Sequence, residues 1–366
     1  MFLTAHSEIN SLSFSQISGK LLLWYSRNKR ILPWRMTRNP YQIWISEIIL
    51  QQTRINQGLD YYLHFLEKFP DVETLAAAQE EQVLKAWQGL GYYSRARNLY
   101  KAAKQIMTEY NGRFPDSYKE ICNLKGIGPY TSAAIASIAF NQPYPVVDGN
   151  VIRFLSRLFR IKTSSSEAET RKYIYELAGK LMADQPPGEF NQAMMEFGAL
   201  ACKPIVPLCG ECTFREYCLA LKYGETDRLP VKKKSIERRD RYFHYLVILI
   251  NTGVGKTGIL LRKRIKDDIW KNLFDFLLIE TDTPDILENY SERAEWSGLL
   301  NQIPERKFRI TRMYKQVLSH QNIYYRFYII RTGKKILTSF PIVDTLDLES
   351  YPLPRPIEKF LEKLLK

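Results

Sequence analysis

The feature that most constrains this chain of 366 residues is the crowding of its cysteines. The chain has 5 cysteines, and four of them lie in the segment CKPIVPLCGECTFREYC, at Cys202, Cys209, Cys212 and Cys218. Structural zinc sites usually combine two close pairs of ligands from separate loops. One close pair with a single cysteine on either side instead suits an iron–sulfur cubane, which needs four thiolates in a compact array. We therefore predict a [4Fe–4S] cluster, with zinc or unrelated thiols as the alternatives.

Charge and composition narrow the class of protein. The chain carries 53 Lys+Arg against 39 Asp+Glu, a net charge of +14, which favours a polyanionic partner, nucleic acid first. With 45% hydrophobic residues it can bury a full core. The N-terminal stretch has neither a basic region nor a long apolar run, and no stretch approaches the roughly 20 apolar residues of a membrane span. We expect a cytoplasmic protein without membrane attachment, in which a disulfide scaffold is disfavoured.

The hydrophobic pattern predicts a multi-domain protein. Residues 1–227 have apolar positions at helical spacing, so we predict an all-α domain there. Residues 228–241 are strongly basic, lack an apolar face and are interpreted as a linker. Residues 242–366 contain β-branched and aromatic runs separated by turns, and therefore predict an α+β domain. The segment NTGVGKTG lacks the first glycine of a phosphate loop and is interpreted as a hairpin turn.

A second motif precedes the cysteines. In LKGIGPYTSAAIASIAF, the glycines Gly126 and Gly128 separate two helical patterns, and Pro129 begins the second one. This is the form of a helix-hairpin-helix, whose backbone N–H groups can face a phosphate, although the same pattern also occurs in ordinary helix–helix turns. Asp148 follows in PVVDGNVIR. Along the chain the hairpin comes first, then the aspartate, then the four cysteines.

In this order and spacing the three motifs resemble the endonuclease III superfamily of DNA glycosylases. The resemblance implies that Asp148 is essential and that the [4Fe–4S] cluster is structural, presenting basic residues such as Lys203 and Arg215 to DNA. Members that also cut the DNA strand use a lysine two residues after the second glycine. Here that position is Tyr130. We therefore expect a monofunctional glycosylase, because no amine stands there to form a Schiff base.

The N-terminal segments RILPWR and NPYQIWISEIILQQTR resemble the MutY branch of that superfamily. The branch implies removal of adenine mispaired with 8-oxoguanine or guanine in double-stranded DNA, and we expect a monomer associated with the nucleoid. Glu47 is the predicted general acid, since a carboxyl among apolar side chains keeps its proton near neutral pH. Asp148 would stabilise the sugar cation, and the resemblance assigns Tyr130 and Asn150 to aligning these groups.

The resemblance also implies contacts to the two mispaired bases. Four residues match the adenine pocket: Arg30, Trp34, Arg35 and Gln192. Position 192 is one where some members carry Glu. Residues that match contacts to DNA or to the lesion are Gln52, Thr53, Leu90, Tyr92, Gly126, Gly128, Ser319 and His320. Within this set, Leu90 would be the wedge that fills the gap left by an everted base, a step that costs a few kcal/mol.

The resemblance further implies that the C-terminal domain has a Nudix-like fold that recognises 8-oxoguanine through VLSHQ, where Leu318 replaces an aromatic residue often found there. The glutamate-rich Nudix helix is absent, so nucleotide hydrolysis is not expected. Two alternatives remain. One is an endonuclease III-like glycosylase and AP lyase acting on pyrimidine lesions, and the other is a non-catalytic iron–sulfur protein that binds DNA.

Overall fold

The structure is a computed structural model that describes residues 13–231, 237–253, 256–285, 294–303, 308–333 and 336–365. The chain divides into two compact units. The helical unit comprises the described residues of 1–77 and 98–234, and the C-terminal unit those of 78–97 and 235–366. The inclusion of 78–97 in the C-terminal unit has no signal in the sequence pattern. The predicted boundaries at 227 and 241 stay predictions, and residues 232–236 of the predicted linker lie outside the described ranges.

Twelve helices precede residue 223 in the described part of the chain. They are α1 (Phe14–Asn28), α2 (Pro40–Leu50), α3 (Ile55–Lys68), α4 (Val72–Ala77), α5 (Glu80–Ala86), α6 (Ser94–Glu109), α7 (Tyr118–Asn123), α8 (Pro129–Phe140), α9 (Gly149–Leu158), α10 (Ala168–Met182), α11 (Pro187–Leu200) and α12 (Leu219–Lys222). Short 3₁₀ helices occur at Pro33–Arg35 and Cys209–Glu211. Among these ranges, no helix is both long enough and apolar enough to cross a bilayer.

Side-chain caps fix where the important helices begin. The side chain of Asn39 accepts hydrogen bonds from the backbone N–H groups of Tyr41 and Gln42, and Pro40 occupies the first position of α2. The carboxylate of Asp148 caps α9 in the same way. A cap satisfies N–H groups that have no partner within the helix. The first cap fixes the start of α2, which carries Glu47. The second cap is Asp148 itself, at the start of α9.

Close helix contacts hold α11 against α8 and α9. A Cβ atom at Gly198 would lie 2.6 Å from the carbonyl oxygen of Asn150, and one at Gly188 would lie 2.8 Å from that of Ser137. Glycine at both positions therefore lets the backbones approach. Helices α1, α9, α10 and α11 share one hydrophobic core, which includes Phe154 and Phe197. This core carries the side of the cavity that α9 and α11 form.

The C-terminal unit is built on a seven-stranded mixed sheet. Its central strands are β1 (Arg239–Gly253) and β8 (Gln321–Thr332), which run parallel. Around them lie β2 (Lys256–Leu260), β5 (Leu277–Thr281), β6 (Arg309–Ile310), β7 (Tyr314–Val317) and β9 (Ile342–Asp344). A separate pair is formed by β3 (Arg262–Lys263) and β4 (Phe274–Asp275). The antiparallel pairing of β1 with β2, ending at Gly253 and Lys256, confirms the predicted hairpin; residues 254–255 of its turn lie outside the described ranges.

Two helices of the described residues pack against the sheet. One face packs against α14 (Arg355–Leu364) through Ile357 and Leu361, and the other packs against α13 (Ala294–Leu300) through Leu299 and Leu300. A helical domain that precedes an α+β domain is the fold class predicted from the sequence, and it is confirmed, including the α+β class expected for a Nudix-like domain.

Candidate active site

A cavity of about 520 Å³ opens in the helical unit between α2, α8, α9 and α11. Ten of the sequence-predicted residues line it: Arg30, Trp34, Arg35, Glu47, Gln52, Thr53, Tyr130, Asp148, Asn150 and Gln192. These residues are spread over about half of the chain, so their convergence is a property of the fold. The cavity is the candidate active site.

Glu47 lies on α2 at the wall of the cavity, only 9% exposed, among the buried side chains of Ile43, Ile48 and Ile49. Burial is the main reason that its pKa rises to about 7. The nearby charge of Asp148 raises the pKa further, while a hydrogen bond from Tyr130 and the charge of Arg35 oppose the rise. The carboxyl is therefore poised to exchange a proton near neutral pH.

Asp148 precedes α9 and receives three hydrogen bonds. The backbone N–H groups of Asn150 and Val151 each donate to its Oδ1 atom at 2.8 Å, and the Asn150 side chain donates to Oδ2 at 2.6 Å. Burial raises the pKa of Asp148, but these donors and the charge of Arg153 oppose that rise because they stabilise the carboxylate. The two carboxyls thus share one cavity in different surroundings.

Tyr130 stands in the first turn of α8, next to Glu47. Its hydroxyl hydrogen-bonds the Glu47 carboxyl and lies 3.6 Å from Met195 Sδ. Burial raises the pKa of Tyr130 well above its ordinary value, so this group is a neutral hydrogen-bond donor. Within the described part of the chain, the residues that line the cavity include no lysine.

A buried glutamate that sequence reasoning missed lines the same cavity as Glu47. Glu196, on α11, is 1% exposed and binds two guanidinium groups at once. Arg30 donates to it through Nε at 2.9 Å and Nη2 at 2.5 Å, and Arg35 through Nη1 and Nη2, both at 2.8 Å. Burial alone would raise the pKa of Glu196, but the hydrogen bonds from the two arginines outweigh it and lower the pKa to about 2.

Glu196 therefore fixes two of the four predicted adenine-pocket side chains. The signal that could have found it is a glutamate inside the apolar run MMEFGAL, since a buried carboxylate needs charged partners. The third side chain, Trp34, is buried edge-on against Tyr62 with ring centroids 5.1 Å apart. The fourth, Gln192, accepts a hydrogen bond of 2.8 Å from the hydroxyl of Tyr25.

A second arginine pair links the site to the cysteine loop. Arg153, on α9, donates to the Asn150 side chain at 2.9 Å, to the Gly198 carbonyl at 2.6 Å and to the Cys202 carbonyl at 2.7 Å. Sequence reasoning did not find this residue. One turn later, Arg157 donates to the Lys203 carbonyl at 2.7 Å and lies 3.5 Å from Cys202 Sγ. The start of the cysteine loop is thus tied to the residue that holds Asp148.

The four predicted cysteine ligands surround one small, largely apolar cavity of about 30 Å³, formed with side chains that include Phe154 and Phe214. All of them are free thiols, and the N–H group of Phe214 donates to Cys212 Sγ at 3.4 Å. Within the described ranges, no three or more His, Cys, Asp or Glu side chains are arranged to hold a single metal ion. Four thiols that line one cavity, two of which accept a hydrogen bond from an N–H group, are nevertheless a donor set that fits an iron–sulfur cluster.

The hairpin glycines have different structural demands. Gly126 adopts a φ of +76°, and a Cβ there would lie 2.5 Å from the side chain of Asn98. Glycine is therefore required at that position. Gly128 precedes α8 with ordinary extended backbone and open space around it. Its position places the start of α8 directly after the hairpin.

The remaining predicted residues lie in the C-terminal unit. Leu90 is only 8% exposed, whereas Tyr92 is 45% exposed. Tyr92 therefore has the larger exposed fraction in the turn Gln88–Tyr92, which carries the predicted wedge Leu90 and is called the wedge turn below. The Tyr92 hydroxyl forms a hydrogen bond with the hydroxyl of Ser319. His320 is exposed, and its carbonyl accepts a bond of 3.2 Å from the N–H group of Arg239.

Comparison with known proteins agrees with this geometry. Residues 45–180 match the HhH-GPD superfamily of base excision DNA repair proteins. An adenine DNA glycosylase of Buchnera aphidicola is 31% identical over 96% of this chain and 98% of its own length. The human adenine DNA glycosylase is 41% identical over 58% of this chain and 40% of its own length. Among solved structures, a thermostable thymine-DNA glycosylase aligns with 29% identity and a TM-score of 0.53, covering 57% of this chain and 95% of that one.

Fold and site together define a base excision repair glycosylase of the HhH-GPD superfamily. The near full-length match with the bacterial relative places it more narrowly. The chain belongs to the adenine DNA glycosylase family, which confirms the resemblance and the enzyme class inferred from the sequence.

Proposed function

We propose that this protein hydrolyses the N-glycosidic bond of adenine mispaired with 8-oxoguanine or guanine in double-stranded DNA. The observation that carries the proposal is the pair of carboxyls in one cavity with separate surroundings. Burial raises the pKa of Glu47 to about 7; burial also raises the pKa of Asp148, but three hydrogen bonds that favour its anion oppose that rise. Such a pair supplies an acid and an anion at the same pH.

Adenine becomes a good leaving group when N7 is protonated. Glu47 donates that proton, and the electron pair of the C1′–N9 bond leaves with the base. The sugar becomes an oxocarbenium ion, which the Asp148 carboxylate stabilises. Water then adds to C1′ and gives up a proton to the Glu47 carboxylate, which restores the starting state. The products are free adenine and an abasic site.

Tyr130 and Asn150 orient the two carboxyls. The neutral Tyr130 hydroxyl donates to Glu47, and the Asn150 amide donates to Asp148 at 2.6 Å. The lack of a lysine among the described lining residues supports hydrolysis rather than a Schiff-base lyase mechanism. Trp34 offers an aromatic side chain to the everted base, and Gln192 offers an amide that can pair with its edge.

The base opposite adenine would be recognised by the other group of predicted residues. Gln52 and Thr53 line the rim of the cavity, while Ser319 and His320 form an exposed loop end before β8. An oxidised guanine differs from guanine by a C8 carbonyl and a proton on N7. A side-chain acceptor at N7 would discriminate by about 1–3 kcal/mol. We assign that role to Ser319 or His320.

The cysteines Cys202, Cys209, Cys212 and Cys218 would hold a [4Fe–4S] cluster. When bound, the cluster cross-links four points of one loop. Arg153 connects that loop with Asn150 through its bonds to the Cys202 carbonyl and the Asn150 side chain. An iron and sulfide count, with an optical spectrum of the purified protein, separates this cofactor from zinc.

The net charge of +14 supports double-stranded DNA as the partner. We further propose that the protein acts as a monomer on the nucleoid in the cytoplasm. The test is single-turnover release of adenine from matched duplexes containing A·8-oxoguanine, A·G or A·T. We expect release from the first two only, without strand cleavage and without an adduct after borohydride reduction. Efficient borohydride trapping would instead indicate a bifunctional lyase, and equal release from A·T would reject the mispair assignment.

A further inference from the structure

The predicted wedge turn has a demanding backbone conformation. Gly89, Gly91 and Tyr92 all have positive φ values, of 96°, 75° and 48°. Glycine reaches this region freely, but tyrosine does so rarely. A free segment with this sequence would sample many conformations, so interactions with the rest of the protein must select the observed one.

Part of that selection is local. The indole N–H of Trp87 donates to the Gly91 carbonyl at 3.1 Å, and Nη2 of Arg95 donates to the same oxygen at 3.2 Å. The backbone N–H of Gly89 donates to the Tyr93 hydroxyl at 3.3 Å. These bonds close the turn between α5 and α6.

The rest of the selection comes from the C-terminal residues of the same unit. The amide of Gln88 is held on both sides: Oε1 accepts from the N–H of Leu353 at 3.1 Å, and Nε2 donates to Glu358 Oε1 at 2.9 Å. The Tyr93 hydroxyl lies 3.5 Å from the Leu353 carbonyl. Gln88, the first residue of the turn, is therefore bonded to the segment that begins α14.

Other bonds hold the flanking helices to the same unit. Asn272 donates to Glu80 at 2.9 Å, and Arg97 donates to the Lys271 carbonyl at 2.9 Å. Lys263 forms an ion pair with Glu81. Residues 78–97 are thus attached at both ends and at the turn to elements that lie about 170–270 positions later in the sequence.

We propose that Gln88 and Glu358 are positioning residues that hold the turn Gln88–Tyr92 in one conformation, ready to fill the gap left by an everted base. The proposal rests on the proposed function. A wedge that is already ordered loses little conformational freedom when it enters the duplex, so eversion becomes easier. The C-terminal unit then acts on base eversion as well as on recognition of the opposite base.

The test exchanges the two partners. In Gln88→Glu, a carboxylate faces Glu358, although the new side chain can still accept from the Leu353 N–H and from Lys85 Nζ, which lies 3.2 Å from Oε1 in the wild type. In the double variant Gln88→Glu with Glu358→Gln, donor and acceptor change places and the bond is restored. The matched control combines Gln88→Glu with Glu362→Gln, which removes one carboxylate from the same helix at a residue whose nearest ion-pair atom, on Arg355, is 3.7 Å away.

Backbone hydrogen exchange of the full-length protein is measured first, because it does not depend on activity. In Gln88→Glu, the amides of Gly89 and Leu90 should exchange about tenfold faster, as expected when a charge-assisted hydrogen bond is lost. The Glu358→Gln partner change should restore protection, and the Glu362→Gln control should not. Amides of α2 should be unchanged in every variant. Unchanged exchange at the turn, or equal rescue by both second changes, overturns the proposal.

Base release is measured next, on two A·8-oxoguanine duplexes, one fully paired around the lesion and one with mismatched neighbours that make eversion easier. Gln88→Glu should slow release about tenfold on the first duplex and less than about threefold on the second. Equal losses on both would reject a role in eversion. If the wild type releases no adenine from either duplex, the proposed function fails, while hydrogen exchange still decides whether these residues position the turn.

Discussion

Two buried glutamates line the same cavity, and their pKa values are shifted in opposite directions. Glu47 lies among isoleucines and accepts a hydrogen bond from Tyr130; burial and the charge of Asp148 raise its pKa to about 7, although Arg35 opposes the rise. Around Glu196 burial acts in the same direction, but two arginines outweigh it and lower the pKa to about 2. Burial therefore does not decide whether a carboxyl keeps its proton. The charged partners within hydrogen-bond distance decide it.

The contrast explains how one cavity can hold an acid and a cationic wall. Glu196 offsets one of the two positive charges of Arg30 and Arg35, so the lowering of the Glu47 pKa by Arg35 does not cancel the rise caused by burial. Without Glu196, those arginines would stabilise a Glu47 anion and lower its pKa. Glu196 is thus expected to protect the proton on Glu47 as well as the shape of the pocket.

The largest expected effect comes from removing the acid. Glu47→Gln keeps the size of the side chain but has no proton of suitable acidity to donate. We expect adenine release to fall by about 10²–10⁴-fold, the usual contribution of general acid–base catalysis, while DNA binding changes little. Single-turnover release and a binding titration on the same duplex measure both. Release at the wild-type rate would remove Glu47 from its role.

Loss of the ion pairs around Glu196 should lower the stability of the fold. Glu196→Gln leaves two half-buried guanidinium groups without their buried counter-charge, and we expect a loss of about 3 kcal/mol in the free energy of unfolding. Glu189→Gln, at an exposed position in the first turn of the same helix, is the matched control and should change stability by less than about 0.5 kcal/mol. Denaturant unfolding compares the two. Equal effects would mean that the double ion pair does not stabilise the fold.

The two glutamates should also give stability opposite dependences on pH. The pKa of Glu47 is raised, so its contribution is full below its ordinary value of 4.5 and is lost as pH rises through about 7. The pKa of Glu196 is lowered, so its contribution is present above 4.5 and is lost as pH falls towards about 2. Unfolding curves of Glu47→Gln and Glu196→Gln across this range, each subtracted from the wild type, measure the two terms. Slopes of the same sign would contradict the comparison.

Catalysis should follow the Glu47 proton. We expect the single-turnover rate to fall by about tenfold per pH unit above pH 7, since only the protonated carboxyl can donate. In Glu196→Gln the midpoint should move to lower pH, because Arg35 then acts more strongly on Glu47. An unchanged midpoint in a folded Glu196→Gln protein would show that the two regions are independent.

The smallest effect is expected at the edge of the cavity. Tyr25→Phe removes the hydroxyl that donates to Gln192 at 2.8 Å and leaves the ring in place. The loss of a neutral hydrogen bond is worth about 0.5–1.5 kcal/mol. We expect the KM for the A·8-oxoguanine duplex to rise up to about tenfold with little change in kcat. A fall in kcat alone would indicate that Gln192 acts in the chemical step.

The residues of this site that could be predicted from the sequence are those marked by a local pattern or by a motif of the family. Glu47 stands in an apolar helical run, Asp148 precedes a helix in a recognisable segment, and the cysteines are adjacent in the chain. Glu196 was missed because its partners, Arg30 and Arg35, lie about 160 positions earlier, and only the fold brings them together. Arg153 was missed for the same reason.

For the fold, the classes of the two domains could be predicted, but the pairing of distant segments could not. Helical spacing and strand-like runs gave the two classes of domain. The parallel pairing of β1 with β8 joins residues about 80 positions apart, and no local propensity encodes it. The attachment of 78–97 to the C-terminal unit likewise depends on distant partners such as Glu358.

Asp148 begins α9 with the same oxygen atoms that would meet a developing sugar cation. Selection for folding and selection for chemistry therefore act on a single side chain. Asparagine would preserve the start of the helix and lose the anion, and glutamate would keep the charge and displace it by one methylene. Neither of these conservative replacements keeps both the start of the helix and the position of the negative charge.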